Sequence, residues 1–366
     1  MPHLRRMLPL ATLLVLIVTV QLVASAVGKD YYLTQATMTA YYTVVALGLS
    51  LLMGYAGQVS LGHGAFFALG GYTSAILTTR PVSGLPSGLF SALQSLGVLS
   101  SRTDLYGGTL VTVSPGWAFC AALLLTFVVA VAVGHPALRL RGQYLAMATL
   151  GFGLIVYRIL LGSNFTGAAD GVNSVPPWDI GGVLSICSQK AHRLPNYYFA
   201  WGFVALVMVL LHNLLDSRQG RALRAIHDNE MATNAMGVNT AAMKLQVFVI
   251  SALLAAAAGS FLTHYAAGIG PSEADAMKSV RYVALVAVGG MGNLWGVLVA
   301  SAGLTFLSLR GCFGTFDAMV FGAILIAVIS LAPEGPFEPL TRWLHRRREP
   351  RAVVVRPEGG DTHGPA

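Results

Sequence analysis

The sequence predicts an all-α polytopic membrane protein with about 8–10 transmembrane helices, some of them glycine-broken or re-entrant, and a weak internal repeat. Composition is the first reason: of 366 residues, 55% are hydrophobic and 10% are charged, and the mean hydropathy is +0.66. Soluble domains carry about 25% charged residues, and a soluble core could not bury this excess of apolar surface. The second reason is a series of apolar windows that approach the ~20 residues a helix needs to cross a bilayer.

The basic residues form a third pattern, because they occur in short clusters between the apolar windows. Examples are Arg139 with Arg141 and the stretch 218–224. Short basic loops mark the cytoplasmic side of a membrane protein. The formal net charge of +8 therefore indicates orientation in a membrane. Membrane lipid is an expected partner and nucleic acid is not.

Most of the apolar windows are long enough for one crossing each. They lie at residues 8–28, 36–54, 57–79, 116–134, 143–162, 197–215, 245–267 and 316–332. The first window follows Arg5-Arg6 and ends near Ala24-Ser25-Ala26, a pattern that also resembles a cleavable signal peptide. Because this window can span the bilayer, we expect a retained helix.

The window at 281–309 is too long for one untilted crossing. Its 29 residues would extend about 43 Å as a helix, against a bilayer core of ~30 Å. The run Gly289-Gly290-Met291-Gly292-Asn293 interrupts it in the middle. Two segments that meet near Met291 also place the basic tail at 342–348 on the same side as the basic loops, with both termini cytoplasmic.

The domain organisation follows from these windows. Residues 1–340 are expected to form one transmembrane domain, with a cytoplasmic loop at 216–243 and outer loops at 80–115 and 163–196. The polar, basic residues 341–366 are expected to form a disordered cytoplasmic tail.

A glycine-broken stretch at 54–72 is the strongest functional signal from the residues themselves. It holds six glycines and several polar side chains between apolar segments. Lipid cannot satisfy freed backbone groups, so the stretch must face protein or a water-filled cavity. A second glycine-rich stretch lies at 289–296, and paired interruptions of this kind indicate a central binding site. The side chains expected to line the path are Gln58, Ser60, His63 and Asn293.

His63 has two interpretations that the sequence leaves open. A histidine at membrane depth indicates a functional site, here contact with substrate or gating. Many such side chains only form a hydrogen bond between helices. Since the sequence places no second His, Asp or Glu within helical reach of His63, it predicts neither a metal site nor a proton relay. No catalytic residues are predicted.

Small residues recur every four positions, for example at Ser251, Ala255 and Gly259. This spacing places small side chains on one helix face and favours close packing between helices.

The cytoplasmic loop contains good helix formers over 219–236, followed by Gly237 and Asn239. We expect one helix that ends at a left-handed glycine, with Asn239 capping the next helix. This amphipathic helix would either lie on the membrane or dock into a groove on a cytoplasmic partner. Composition leaves both alternatives open.

Several blocks in the same order resemble a known family. They are residues 54–67, 138–146, 149–153, 220–226, 229–239 and 288–296. Over about 36–332 the chain resembles the LivM-type permeases of branched-chain amino acid ABC importers. The resemblance implies an ATP-driven importer of the bacterial inner membrane that moves branched-chain or related amino acids. Its expected partners are a second homologous permease, two cytoplasmic ATPase subunits and a periplasmic substrate-binding protein.

The resemblance also implies that the cytoplasmic loop couples to the ATPase. The coupling residues it implies are Arg221, Arg224, Asn229, Glu230, Ala232 and Gly237. The sequence has no GxxxxGK[ST] loop, so this chain is expected not to be an enzyme and to need no cofactor, with ATP bound by the partners. Leu154, His227 and Arg281 depart from the family's pattern and leave the solute open.

The alternative function is an ion-coupled secondary transporter or channel for a small polar solute. It requires an intramembrane charged residue for ion coupling, and most acidic residues fall in loops or the tail. An intramembrane enzyme lacks support, because the sequence carries neither HExxH nor GxSxG.

Overall fold

The computed structural model describes residues 13–22, 25–26, 28, 31–81, 97–103, 109–140, 142–180 and 184–331. The predicted tail at 341–366 and part of the predicted outer loop at 80–115 lie outside these residues. The α-helices are α1 Leu13–Leu22, α2 Tyr31–Ser50, α3 His63–Thr79, α4 Pro115–Ala137, α5 Gln143–Gly162, α6 Arg193–Asp216, α7 Arg218–Asp228, α8 Glu230–Ala235, α9 Thr240–Ala266, α10 Ala276–Gly289, α11 Leu294–Leu309 and α12 Asp317–Leu331.

Within the described part of the chain, five helices are long and apolar enough to cross a membrane. They are α2 with its π-helical extension to Tyr55, α4, α5, α6 with the turn before it, and α9. Shorter apolar helices occur at Leu13–Leu22, Leu294–Leu309 and Met319–Val328. The predicted class, an all-α polytopic membrane protein, is confirmed.

The predicted helical window at 57–79 is wrong over its first six residues. A π-helix at Leu51–Tyr55 ends α2, residues 57–62 are not helical, and α3 begins only at His63. Gly57 has φ +66°, in the left-handed region that residues other than glycine rarely adopt. The glycine therefore ends the helix that the apolar pattern alone would continue.

The predicted break near Met291 is confirmed. α10 ends at Gly289, Gly290 has φ +88°, and α11 starts at Leu294 after the capping residue Asn293. The 281–309 window is thus two helices, α10 and α11, that pack against each other.

The described residues contain short antiparallel strand pairs, whose strands lie in the two predicted outer loops except for Gly268–Ile269, which directly follows α9. They are β1 Leu99–Thr103 with β2 Thr109–Val113, β3 Val172–Asn173 with β6 Gly268–Ile269, and β4 Trp178–Ile180 with β5 Leu184–Ile186. Trp178 stacks on Phe261 of α9, with ring centroids 5.3 Å apart. The second loop therefore packs over the end of α9.

The centre of the bundle is the helix pair α3 and α9, which run parallel, since His63 meets Ser251 near their starts and Ser74 meets His264 near their ends. A Cβ atom at Gly259 would lie 2.0 Å from the Phe67 carbonyl oxygen, and one at Gly70 would lie 2.2 Å from the Ala256 carbonyl oxygen. The backbones approach this closely because both helices present glycine at the contact. The packing function predicted for the 251–259 stripe is confirmed.

Candidate functional site

The two glycine-broken segments are in contact. A Cβ atom at Gly54 would lie 1.3 Å from the Met291 carbonyl oxygen, so only glycine fits there. The Tyr55 hydroxyl donates a hydrogen bond to the Gly292 carbonyl oxygen at 2.7 Å. The site therefore joins parts of the chain that are 237 residues apart.

The protein itself satisfies backbone groups that the first break frees. The N–H of Gln58 donates to the Leu52 carbonyl oxygen at 3.1 Å, and the N–H of Leu61 donates to Thr149 Oγ1 at 3.0 Å. The N–H of Gly64 donates to Ser279 Oγ at 3.2 Å. At membrane depth, backbone polar groups must be paired within the protein, and these three N–H groups are.

Gln58 lies at a cleft open to solvent. The side chain is buried, and its Oε1 atom has no hydrogen-bond partner among the residues that the structure describes. The cleft is also lined by Gln143, Glu230 and Lys244. A candidate path residue and a candidate coupling residue therefore face the same space.

Ser60 and Asn293 have local hydrogen-bonding roles. Ser60 is fully buried, and its Oγ accepts from the N–H of Gly62 at 3.4 Å. Asn293 Oδ1 accepts from the N–H groups of Trp295 and Gly296 at 3.1 and 3.2 Å, which caps α11. Their contribution to a substrate path stays a prediction.

His63 lies fully buried between α3 and α9. Its Nε2 is 2.7 Å from Ser251 Oγ, and further along the same helix pair Ser74 Oγ is 2.8 Å from His264 Nε2. Each helix thus supplies one histidine and one serine to a reciprocal pair of bonds. The arrangement supports an interhelical hydrogen bond for His63.

A double-mutant cycle on His63→Ala and Ser251→Ala tests this bond. We expect a coupling energy of about 0.6 kcal/mol, and at most ~1.7 kcal/mol, in unfolding of the detergent-solubilised protein, the average and the maximum for interhelical hydrogen bonds in a membrane protein. The cycle on Ser74→Ala and His264→Ala is the matched control and should give a similar value. A coupling near zero, together with altered uptake by His63→Ala, would instead favour contact with substrate.

The single helix predicted over 219–236 is wrong. α7 ends at Asp228, Asn229 is extended at φ −156°, and α8 begins at Glu230. Asn229 Oδ1 accepts from the N–H of Ala232 at 3.0 Å, so this side chain caps a new helix in place of continuing the old one. The left-handed Gly237 (φ +86°) and the cap at Asn239, which accepts from Ala242 at 3.0 Å, are confirmed.

The predicted coupling residues differ in their surroundings. Arg221 and Arg224 donate to the carbonyl oxygens of Asp216 and Leu215, at 3.3 and 2.7 Å, and so hold the turn between α6 and α7. Glu230 forms an ion pair with Lys244 of α9 at 2.6 Å. Ala232 and Gly237 are exposed.

His227 and Lys244 join the loop to the bundle. Neither residue was predicted from the sequence to belong to the site. A Cβ atom at Gly57 would lie 3.0 Å from Nδ1 of His227, so the end of α7 packs directly against the first break. Lys244 ties the start of α9 to the start of α8. The signal for Lys244 is weak, since a lysine before an apolar run is common in membrane proteins.

The family model described as "Branched-chain amino acid transport system / permease component" matches residues 31–329. The chain belongs to this family of permease components. It is a multi-pass membrane protein and a permease subunit of a transport system. The family predicted from the sequence blocks is confirmed.

The relatives of this permease are named for the transport of branched-chain amino acids or of fructose. It is 30% identical over 328 residues to the high-affinity branched-chain amino acid transport system permease protein LivM of Salmonella typhimurium, covering 84% of this chain and 70% of the relative. The permease protein LivH of the same organism is 22% identical, with 83% and 95% covered. The fructose import permease protein FrcC of Rhizobium meliloti is 26% identical, with 67% and 66% covered. No solved structure matches the chain.

Proposed function

We propose that this permease forms the membrane pathway of an ATP-driven importer for branched-chain or related amino acids in a bacterial inner membrane. The names of LivM and LivH support amino acids as cargo and a second, homologous permease as a partner. Two cytoplasmic ATPases would bind the ATP, and a periplasmic binding protein would deliver the solute. Both termini would be cytoplasmic. This chain would supply no catalytic residue.

One observation carries the proposal: an unbroken set of contacts leads from the cytoplasmic loop to the membrane breaks. His227, at the end of α7, packs on Gly57 of the first break. Three residues earlier, Gly54 packs on Met291 of the second break. A displacement of α7 would therefore move the two non-helical segments, which are the parts of the bundle least held by helical hydrogen bonds.

The loop presents an apolar surface away from the bundle. Leu223 and Ile226 of α7 are buried, whereas Met231 is 73% exposed and Met236 is 84% exposed. Methionine side chains adapt to the surface of a protein partner. We assign this surface to an ATPase subunit, because α8 has too little positive charge to favour the membrane surface.

The test places a charge in that surface. Met231→Glu and Met236→Glu, each assembled with the companion subunits, should reduce ATP-dependent leucine uptake into proteoliposomes at least about tenfold, since burying an unpaired carboxylate costs several kcal/mol. Copurification of the ATPases should fall in parallel while membrane insertion is unchanged. Met231→Leu and Met236→Leu keep the apolar surface and should transport normally.

Normal ATP-driven uptake by both glutamate variants would remove the coupling assignment. Uptake driven by an ion gradient in liposomes that contain this chain without any ATPase would favour the secondary transporter or channel.

A further inference from the structure

Charged side chains of α10 lie in a network that the proposed coupling route does not use. Arg281 forms an ion pair with Asp317 of α12 and donates to Ser308 Oγ at 3.3 Å. Lys278, one turn earlier, forms an ion pair with Glu273 at 2.5 Å. Charged residues on a membrane helix are costly and usually mark a functional position.

Next to this network is a partly open cavity between α2, α10 and α11. Its polar lining consists entirely of side chains that can donate hydrogen bonds, with Leu285 and Leu309 as apolar neighbours. The donors are Tyr42, Lys278, Arg281, Tyr282, Thr305 and Ser308. Tyr42 already donates to Glu273 and Ser308 to Asp317, so among the described residues the lining hydroxyls free to donate to a ligand that accepts hydrogen bonds are those of Tyr282 and Thr305.

Two of the lining hydroxyls provide independent support. Tyr282 is 3% exposed and Thr305 is 6% exposed. Neither hydroxyl has a hydrogen-bond partner among the residues that the structure describes. Buried hydroxyls are normally paired, and an unpaired one destabilises the fold. Both residues therefore retain an unused donor beside the same cavity.

We propose that this cavity binds the carboxylate of a free amino acid. A carboxylate only accepts hydrogen bonds, and its two oxygens can take donors from an arginine and from hydroxyls together. Glu273 and Asp317 balance the charges of Lys278 and Arg281, so a zwitterion without net charge enters at a lower electrostatic cost than a simple anion.

The apolar neighbours complete the site for this class of ligand. Leu285 and Leu309 line the cavity beside the donors, so an aliphatic side chain could pack against them while the carboxylate contacts the hydroxyls. The choice of an amino acid over another carboxylate rests on the proposed function. The cavity is separate from the cleft at Gln58, which makes it a second binding position in the same chain.

The test removes the unused hydroxyls. Binding of L-leucine to the assembled transporter in phosphatidylcholine nanodiscs is measured by calorimetry for the wild type, Tyr282→Phe and Thr305→Val. Each variant should bind leucine about tenfold more weakly, as expected for one lost hydrogen bond to a charged group. The thermal stability of the ligand-free protein should be unchanged or raised, because an unpaired donor is removed. L-leucinol, which lacks the carboxylate, should not bind.

Tyr41→Phe is the matched control. Tyr41 is also fully buried with a hydroxyl that has no partner in the described residues, but it does not line this cavity. It should bind leucine like the wild type.

Wild-type affinity in both cavity variants, or binding of leucinol as tight as that of leucine, would overturn the proposal. A dependence on Tyr282 seen only with phosphatidylglycerol in the disc would assign the cavity to a lipid phosphate and would also overturn it. If the variants bind normally and ATP-driven uptake persists, only the site is wrong. If the wild-type assembly shows no ATP-driven uptake, the proposed function is wrong.

Discussion

Replacing Gly54 by alanine is expected to abolish uptake and to destabilise the bundle by about 3 kcal/mol or more, at the upper end of overpacking effects. The added Cβ would lie 1.3 Å from the Met291 carbonyl oxygen, and the neighbouring contact atom is backbone. A flexible side chain cannot move aside to relieve this clash. The two breaks must separate, which also removes the bond from the Tyr55 hydroxyl to Gly292. Thermal unfolding and ATP-dependent leucine uptake measure the two effects.

The matched control is Gly303→Ala in α11. A Cβ atom at Gly303 would meet nothing within 4 Å, and alanine favours the helix by roughly 1 kcal/mol over glycine. This variant should unfold at the same or a higher temperature and transport normally. If Gly54→Ala behaves like Gly303→Ala, the two glycine-broken segments are not in contact in the working transporter.

Both breaks could be predicted from the sequence, but their contact could not. Glycine and polar residues inside apolar windows indicate a break, because lipid cannot satisfy the freed backbone groups. Whether the two breaks touch each other depends on how the helices pack, and no local sequence pattern predicts that packing. Tyr55 shows the limit, since its hydroxyl needs a partner but nothing nearby in the sequence identifies Gly292.

The segment predicted as a cytoplasmic loop, 216–243, lies between the long helices α6 and α9, but its internal structure differs from the prediction. Good helix formers extend over 219–236, and the high average helix propensity of this stretch concealed the effect of Asn229. The Asn229 side chain competes with the helical backbone for hydrogen bonds. An asparagine three residues before the N–H it caps is a local signal that could have been recognised. α7 and α8 are therefore separate helices, and Met231 on α8 is exposed.

The charged and histidine pairs of the bundle were beyond prediction from the sequence. Arg281 was noted only as a departure from the family's pattern, and its partner Asp317 lies 36 residues away on another helix. His63 and Ser251 are separated by 188 residues. Such pairs depend on the relative rotation and depth of two helices, which periodicity within either helix does not specify.

The close approach of α3 and α9 gives the second large effect. Gly70→Ala and Gly259→Ala would each push a methyl group into the backbone of the facing helix, because the added Cβ atoms would lie 2.2 and 2.0 Å from carbonyl oxygens. We expect each variant to lower stability by about 3 kcal/mol or more and to reduce the yield of folded protein.

The stability of the double variant, with both Gly70→Ala and Gly259→Ala, tests this contact more sharply than either single variant. Once one methyl group has separated the helices, the second meets less resistance, so the combined loss should be smaller than the sum of the two single losses. Gly151→Ala on α5, where a Cβ would meet nothing within 4 Å, should leave the melting temperature unchanged or raise it. Strictly additive losses would mean that Gly70 and Gly259 act at independent sites. Single variants that melt like the wild type would mean that α3 and α9 do not meet at these glycines, and the serine–histidine bonds between the same helices would then need another explanation.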